Sequence, residues 1–447
     1  MSFREQSFFT GKRVTVQGLG LLGRSIGDCI YIANNGGLVT VTDMKSEEQL
    51  RASIEKLQTV PNITFHLGGH RDEDFVTADM IIKSAGVPQD SPYIKKAEDA
   101  GVPVYMSTAL AAQFAIEKGV ICVGVTGTRG KTTVTHAIAH LLRSAGHVVH
   151  IGGNVRGVST LALLPELQPK DILVLELDSW QLQGFRTLGI SPEVAVFTNL
   201  MPDHQNYYKD MDSYFFDKAA IFAHQKKGDA LFSGSVIASR IHEMHPLAEL
   251  VVPEYLARTW SLKIHGAHNV ENMSLAVAAA QAVDIRMHGK LTVPESVYKT
   301  SAESFEGVEG RLQFVREVRG VHIYNDNNAT TPEATIAALE ALHKVGKKNI
   351  LLIAGGSDKG LPFEMLAQVI EKTCASVFLL EGSGTARLHT LIPGARLQQT
   401  LQGCVFSALQ LAQTGDIVLF SPACASFGLF VNEYDRNDQF LKIVSTL

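Results

Sequence analysis

The segment Val120-Ile-Cys-Val-Gly-Val-Thr-Gly-Thr-Arg-Gly-Lys-Thr-Thr133 restricts the possible fold more than any other part of this chain. An apolar run leads into a Gly- and Thr-rich loop that ends in Lys131. Val134, Ala137, Ile138, Leu141 and Leu142 then repeat at the spacing of one helical face until Gly146. The order predicted is strand, phosphate loop, helix. Backbone N–H groups freed by Gly127 and Gly130, with the positive end of the helix dipole, suit an anionic phosphate. Lys131 would reach the outer phosphates and the Thr132 hydroxyl a Mg²⁺ ion. The generic pattern has Gly where this chain has Val125, so the loop is a variant; a Gly-rich turn with an incidental lysine is the plainer alternative.

At 447 residues the chain exceeds one ordinary core and suggests about three domains. A net charge of -5 argues against a nucleic-acid-binding surface but says little about small anionic ligands. Cys29, Cys122, Cys374, Cys404 and Cys424 are scattered without CxxC spacing, which fits a reducing compartment. No apolar run approaches the length of a membrane span, so no membrane insertion and a cytoplasmic location are expected.

Near the start, Arg13–Gln17 reads as a strand, followed by Gly18-Leu-Gly-Leu-Leu-Gly23, a helix, and a second strand from Leu38 that ends at Asp43. This is a dinucleotide-binding fingerprint in its proper context. Alone it suggests NAD, yet nothing further along supplies hydride chemistry, and the glycines would admit any nucleotide diphosphate. Met80 to Ser84 continues this region, which is expected to end near Ala109.

Three further strands, Val148 to Ile151, Ile172 to Leu177 and Val194 to Phe197, alternate with helices as in a mostly parallel sheet. Polar residues gather where they stop: Gly152-Gly-Asn154, Glu176 with Asp178, and Thr198, Asn199, Asp203 and His204. Ligands of open α/β sheets sit beyond strand carboxyl ends, so these groups should converge on the phosphate loop. Glu176 suits a metal carboxylate or a buried salt bridge. His204 and Lys218, judged singly, read as a structural histidine and a solvated lysine. Gly266-Ala-His-Asn269 with Asn272 opens an Ala-rich helix, where capping and ligand contact are both open. Leu312 to Val318 and Val321 to Tyr324 predict a β-hairpin; Asn325 to Pro332 suits ligand contact or a helix start. Asn349 to Ala354 and Ile417 to Phe420 end in Gly355-Gly-Ser-Asp-Lys359 and Ser421-Pro-Ala-Cys-Ala-Ser426-Phe427, which makes a third α/β layer.

Taken in order, Thr126 to Thr133, Gly153-Asn154, Glu176-Leu-Asp-Ser-Trp-Gln-Leu182, Asp203-His204, His268-Asn269 with Asn272, and Asn325-Asp326 resemble the Mur ligases. These are ATP-dependent amide-bond ligases of peptidoglycan precursor synthesis, and the glycine loop with Ser421 to Ser426 is most like the branch that adds glutamate. The resemblance implies three α/β domains: a Rossmann-like domain over 1–109 for the UDP-linked substrate, a central P-loop domain over 110–309 for ATP and Mg²⁺, and a Rossmann-like domain over 310–447 for the amino acid. The expected chemistry is phosphorylation of the carboxylate of UDP-N-acetylmuramoyl-L-alanine, followed by attack of the glutamate amine, with D-glutamate expected. A monomer working on small molecules alone is the corresponding expectation.

Carried over residue by residue, the resemblance gives ATP-binding roles to Gly127, Thr128, Gly130, Lys131, Thr132, Thr133, Asn269, Arg311 and Asp326. Gly18, Leu19, Gly20, Leu21, Leu22, Asp43 and Asn154 would bind the UDP-linked substrate, and Thr330, Lys359, Ser426 and Phe427 the glutamate. Thr132, Glu176, His204 and Lys218 would hold two Mg²⁺ ions, with Lys218 carried as a carbamate; Lys131, His204 and Lys218 would be catalytic. This reverses the single-residue reading of His204 and Lys218. Departures from the family pattern are Asn328 for a lysine, Gly310 for a histidine and Asp178 for a serine.

Overall fold

A computed structural model describes residues 5–20, 23–203, 207–254 and 259–447. Leu21, Leu22 and His204 therefore lie outside the described residues. Among those described, strands gather into three sheets. The chain divides into two compact units: Met1–Leu256 with Asn272–Ser301, and Ala257–Glu271 with Ala302–Leu447.

In the first unit, β1 (Arg13–Gln17), β2 (Leu38–Asp43), β3 (Ile63–Leu67), β4 (Met80–Lys83) and β5 (Val104–Tyr105) form an all-parallel sheet of order β3-β2-β1-β4-β5. After Arg13, every residue of β1 is buried, as expected for a strand covered on both faces. The second sheet comprises β6 (Ile121–Thr126), β7 (Val149–Gly153), β8 (Ile172–Glu176), β9 (Val194–Phe197), β10 (Ala230–Ser233) and β11 (Glu249–Val251), again all parallel, in the order β11-β10-β9-β6-β8-β7. β7 starts one residue later than the sequence suggests and runs on through Gly152 and Gly153, because these pair with Leu175 and Glu176 of β8. The displaced Val148 is 59 % exposed.

The second unit holds β12 (Gln313–Val318), β13 (Val321–Asn325), β14 (Ile350–Gly355), β15 (Cys374–Leu380), β16 (Arg396–Gln398) and β17 (Ile417–Phe420), ordered β12-β13-β17-β14-β15-β16. The expected hairpin is present: β12 and β13 are antiparallel, and Arg319 and Gly320 at their turn have φ of 52° and 77°. Two consecutive positive φ values match the twist of a tight hairpin.

Within the first unit, the two sheets share one apolar core that runs from Phe9 and Val14 through Phe114 to Leu182 and Phe185. A polar strut crosses it. Ser159 Oγ donates to Asp28 Oδ1 at 2.6 Å, joining the helix Arg24–Asn34 to the short helix Thr160–Leu163. Burial raises the Asp28 carboxyl to about 6, against the lowering effects of hydrogen bonds from Ser159 and Ser107 and of the Arg24 charge. A carboxyl that titrates higher folded than unfolded binds its proton more tightly in the native state. Its ionised form therefore costs stability above about pH 6, and the cost disappears as pH falls toward the unfolded value. Asp28→Asn should raise the melting temperature at pH 7.5, with the advantage shrinking to nothing by about pH 4; thermal unfolding of both proteins across that range checks it.

Candidate active site

The phosphate loop lies between β6 and the helix Lys131–Ser144, as the sequence suggests. Its shape comes from the neighbouring strand end. Thr128 N donates to Asn199 O at 2.9 Å, Arg129 N to Asn199 Oδ1 at 3.0 Å, and Thr198 Oγ1 to Arg129 O at 2.5 Å. Gly127 and Gly130 have φ of 139° and 82°. A Cβ on Gly127 would overlap Thr198 Oγ1 and come within 3.0 Å of the Asn199 backbone; one on Gly130 would stand 2.5 Å from Asn272 Oδ1. Both positions need glycine for conformation and for space.

Two lysines meet on this loop. Lys131 Nζ donates to the carbonyls of Gly127 and Thr128, both at 3.0 Å, and Lys218 Nζ donates to the same Gly127 carbonyl at 2.8 Å. Lys218 comes from the helix Met211–Ala223 and is 1 % exposed, with the Tyr214 ring 4.7 Å from its ammonium. The single-residue expectation of a solvated lysine fails because this helix turns Lys218 inward while Phe216 stays exposed. Burial, then the charge of Lys131, pushes Lys218 well below the ordinary lysine value, although Asp178, Asp203 and Asp217 pull the other way. A lysine so placed gives up its proton more readily than a solvated one.

Glu176 ends β8 and is buried, and Thr132 and Thr133 lie in the first helical turn. Asp178 is taken up in capping the helix Ser179–Leu188: it accepts from Gln181 N at 2.7 Å, while Gln181 Oε1 accepts from Asp178 N at 3.3 Å. Among the described residues, no cluster of three or more His, Cys, Asp and Glu side chains is arranged to hold a metal. Mg²⁺ in phosphoryl-transfer sites commonly uses one or two carboxylates together with substrate phosphates and water. Glu176 and the Thr132 hydroxyl beside a phosphate loop are consistent with that donor set.

On the first sheet, Asp43 Oδ2 accepts from Leu19 N at 2.9 Å and Gly20 N at 3.2 Å, and Lys45 N donates to its other oxygen at 2.9 Å. The carboxylate thus fixes the glycine loop from within and occupies two of its N–H groups. Gly18, at the end of β1, is covered by Ser84, whose hydroxyl donates to Gly18 O at 3.0 Å. Asn154, after β7, accepts from Arg24 at 2.8 Å through Oδ1, which ties the loop after β7 to the start of the helix Arg24–Asn34.

In the second unit, Lys359 Nζ donates to Thr330 Oγ1 at 2.9 Å. The loop after β14 pairs with that after β17: Ser357 N donates to Ala425 O, Ala425 N returns to Ser357 O, and Ser357 Oγ donates to Phe427 O. Thr330, Lys359, Ser426 and Phe427 are thereby collected beyond the carboxyl ends of β13, β14 and β17, with Ser426 buried and Phe427 65 % exposed. Asp326 accepts from Leu312 N at 3.0 Å and Ser421 Oγ at 2.8 Å, while the buried Arg311 Nε has no hydrogen-bond partner among the described residues. Asn269 Nδ2 caps the His265 carbonyl at 2.7 Å. Arg436 escaped the sequence reading: fully buried, it donates to Asn327 Oδ1, Asn327 O and Cys424 O, tying the β13 and β17 loops together. Its signal was only a charged residue on the amphipathic helix Glu433–Ser445.

A Gly- and Lys-bearing strand–helix loop on one parallel sheet, a glycine loop on a second and a Lys359–Thr330 pair at the strand ends of a third suit a nucleotide-dependent ligase. The chain belongs to the Mur ligase family. Residues 12–106 match the MurD-like N-terminal domain, 125–243 the Mur ligase middle domain and 310–424 the Mur ligase glutamate ligase domain. It is 35% identical, over an alignment of 477 positions including gaps, to the UDP-N-acetylmuramoylalanine–D-glutamate ligase of Roseiflexus sp. (strain RS-1), covering 98% of this chain and 99% of that one. The protein of the same name from Borreliella afzelii (strain PKo) is 33% identical, covering 97% of each chain. Among solved structures, a UDP-N-acetylmuramate–alanine ligase from Thermotoga maritima aligns over 97% of this chain and 99% of its own, with a TM-score of 0.61 at 17% identity. A MurF ligase from Thermotoga maritima in complex with ADP covers 99% and 98%, with a TM-score of 0.59 at 16% identity. The chain is accordingly an ATP-dependent ligase that forms carbon–nitrogen bonds in peptidoglycan precursor synthesis.

Replacing Gly127 by alanine should strain the loop by about 1–3 kcal/mol and abolish stabilisation by ATP, while stabilisation by UDP persists. Denaturant unfolding and thermal shift with each nucleotide check both parts.

Proposed function

We propose that this protein joins D-glutamate to UDP-N-acetylmuramoyl-L-alanine, with consumption of ATP and formation of an acyl phosphate on the acceptor. The observation that carries this reading is the convergence of Lys131 and Lys218 on the Gly127 carbonyl, in a chain aligned end to end with relatives named for that reaction. A carboxylate is a poor electrophile; phosphorylation gives it a leaving group that the amine can displace. The main demand on the protein is then positioning and charge neutralisation around the transferred phosphoryl group.

In this reading Gly127, Thr128, Gly130, Thr132 and Thr133 cradle the phosphates, and Lys131 exchanges its two loop carbonyls for the outer phosphate oxygens. Glu176 and Thr132 would hold Mg²⁺, with His204 assigned to a second ion by resemblance alone; such a metal would supply neutralisation of phosphate charge. Lys218 is proposed to be carbamylated: its neutral amine adds to CO₂ and loses a proton, which turns a buried cation into an anion suited to a hard metal. Its depressed basicity supports that step.

Gly18, Leu19, Gly20, Asp43 and Asn154 are assigned to the UDP-linked acceptor, with Leu21 and Leu22 added on sequence grounds. Asn269, Arg311 and Asp326 are assigned to the nucleotide. Lys359 and Thr330, already hydrogen-bonded, would fix the glutamate carboxylates beside Ser426 and Phe427. With Asn328 in place of a lysine, Lys359 is the cation on which this pocket relies. The same reading places a monomeric enzyme in the cytoplasm, acting on small molecules.

Purified protein given ATP, Mg²⁺ and the acceptor should release phosphate on addition of D-glutamate and not of L-glutamate. Lys131→Ala should lower that rate by at least about a hundredfold with an unchanged circular dichroism spectrum. Release that is indifferent to the amino acid, or faster with another one, would refute the substrate assignment.

A further inference from the structure

Lys83 ends β4 directly opposite Gln17 at the end of β1, and both are buried. Side chains at paired positions of neighbouring parallel strands leave the sheet on the same face. Lys83 is 4 % exposed, yet its ammonium makes one hydrogen bond among the described residues, donated to Val87 O at 2.6 Å. An ammonium carries three donors, so two are unfilled. Among the described residues, the Gln17 amide has one long contact, 3.5 Å from its Nε2 to His70 Nε2, and its Oε1 has no partner. Turning the amide over only exchanges which end is open. His70 cannot fill that end from its other nitrogen, which lies 2.7 Å from Thr42 Oγ1.

Two Lys83 donors without a partner among the described residues and an open Gln17 amide end therefore belong to paired strand positions where the sheet order β3-β2-β1-β4-β5 reverses its winding. That is the place where open α/β sheets bind ligands. Burying a cation with so few partners is costly, and a bracing contact to one carbonyl does not account for it. Burial lowers Lys83 to about 8, and the carboxylates that counter this are Asp217 and Asp178. Neither of them is hydrogen-bonded to Lys83 among the described residues. Asp217, taken up by Tyr208 and Gln183, immediately precedes Lys218 on its helix. Lys83 thus belongs to the first sheet while standing in the field of the elements around the phosphate loop.

We propose that Lys83, with Gln17 beside it, binds an anionic oxygen of the UDP-linked acceptor, in either its diphosphate or its carboxylate. This rests on the function proposed above, which supplies such a substrate. Anchoring the acceptor from the β4 end would hold it while its carboxylate is phosphorylated.

The test compares wild type, Lys83→Met and Lys83→Arg by calorimetric titration with UDP, UDP-N-acetylglucosamine and UDP-N-acetylmuramoyl-L-alanine, beside steady-state kinetics and melting temperature. Methionine keeps the apolar stem and removes the charge. The full acceptor should bind Lys83→Met about 10- to 100-fold more weakly and show a raised KM. The KM for ATP and the melting temperature should be unchanged, and arginine should recover most of the loss. If UDP and UDP-N-acetylglucosamine weaken by the same factor, the diphosphate is the bound anion; if they bind as to wild type, it is the carboxylate. Unchanged affinity for the full acceptor would overturn the proposal. So would a loss that tracks a lower melting temperature, which would make Lys83 only a brace for the Ser84–Val87 turn. Wild-type protein that fails to couple D-glutamate refutes the function instead, and a charge-dependent loss of UDP-sugar binding would still locate the anion site.

Discussion

One backbone oxygen, the carbonyl of Gly127, accepts from both Lys131 and Lys218, and the chemistry proposed for the central sheet depends on that shared contact. Burial lowers the basicity of Lys218, and the like charge of Lys131 on the same acceptor lowers it further. The arrangement persists because it is over-determined. Asn199 and Thr198 hold the loop backbone, Asp210 caps the helix bearing Lys218 by accepting from Ser213 N at 2.7 Å, and Gly127 leaves no space for any other residue. A phosphate would relieve the repulsion by taking Lys131 outward, so the loop is preorganised for an anion.

A second constraint is the disposition of buried charge along strand ends. Parallel strands buried on both faces place charged and amide groups most readily where they stop, and this chain uses those positions repeatedly. Asp43 ends β2 and fastens the glycine loop; Lys83 ends β4; Glu176 ends β8; Asn325 ends β13 and donates to Asn437 at 2.8 Å. Some of these groups are fully engaged by protein, as Asp43 and Asn325 are. Others keep hydrogen-bonding capacity that no described residue fills, as Lys83 and Gln17 do.

Much of this was legible in the sequence for a simple physical reason. Strands such as Arg13–Gln17, Val194–Phe197 and Ile417–Phe420 are short apolar runs bounded by polar or turn-forming residues, and the structure places their limits where the sequence does. The phosphate loop was equally clear, because glycine and lysine spacing encodes it locally. Lys218 was not legible without the family resemblance. Phe216 and Lys218 lie two positions apart on the same helix, and only packing against the loop decides that the lysine turns in and the phenylalanine out. Lys83 and Arg436 were hidden likewise, since a cation at a strand end or on an amphipathic helix reads as solvated until its surroundings are known. The role of Asp43 in holding the glycine loop rests on an approach between β1 and β2 that spacing alone does not reveal.

The most direct test of the chemistry is to follow oxygen from an acceptor whose alanyl carboxylate carries ¹⁸O in both positions. Phosphorylation of that carboxylate followed by amine attack moves one labelled oxygen into the phosphate released and leaves the other in the new amide. Mass spectrometry should therefore find one ¹⁸O in each inorganic phosphate formed with D-glutamate present. Unlabelled phosphate accompanying normal amide formation would contradict an acyl phosphate, and with it the role assigned here to Lys131 and Lys218.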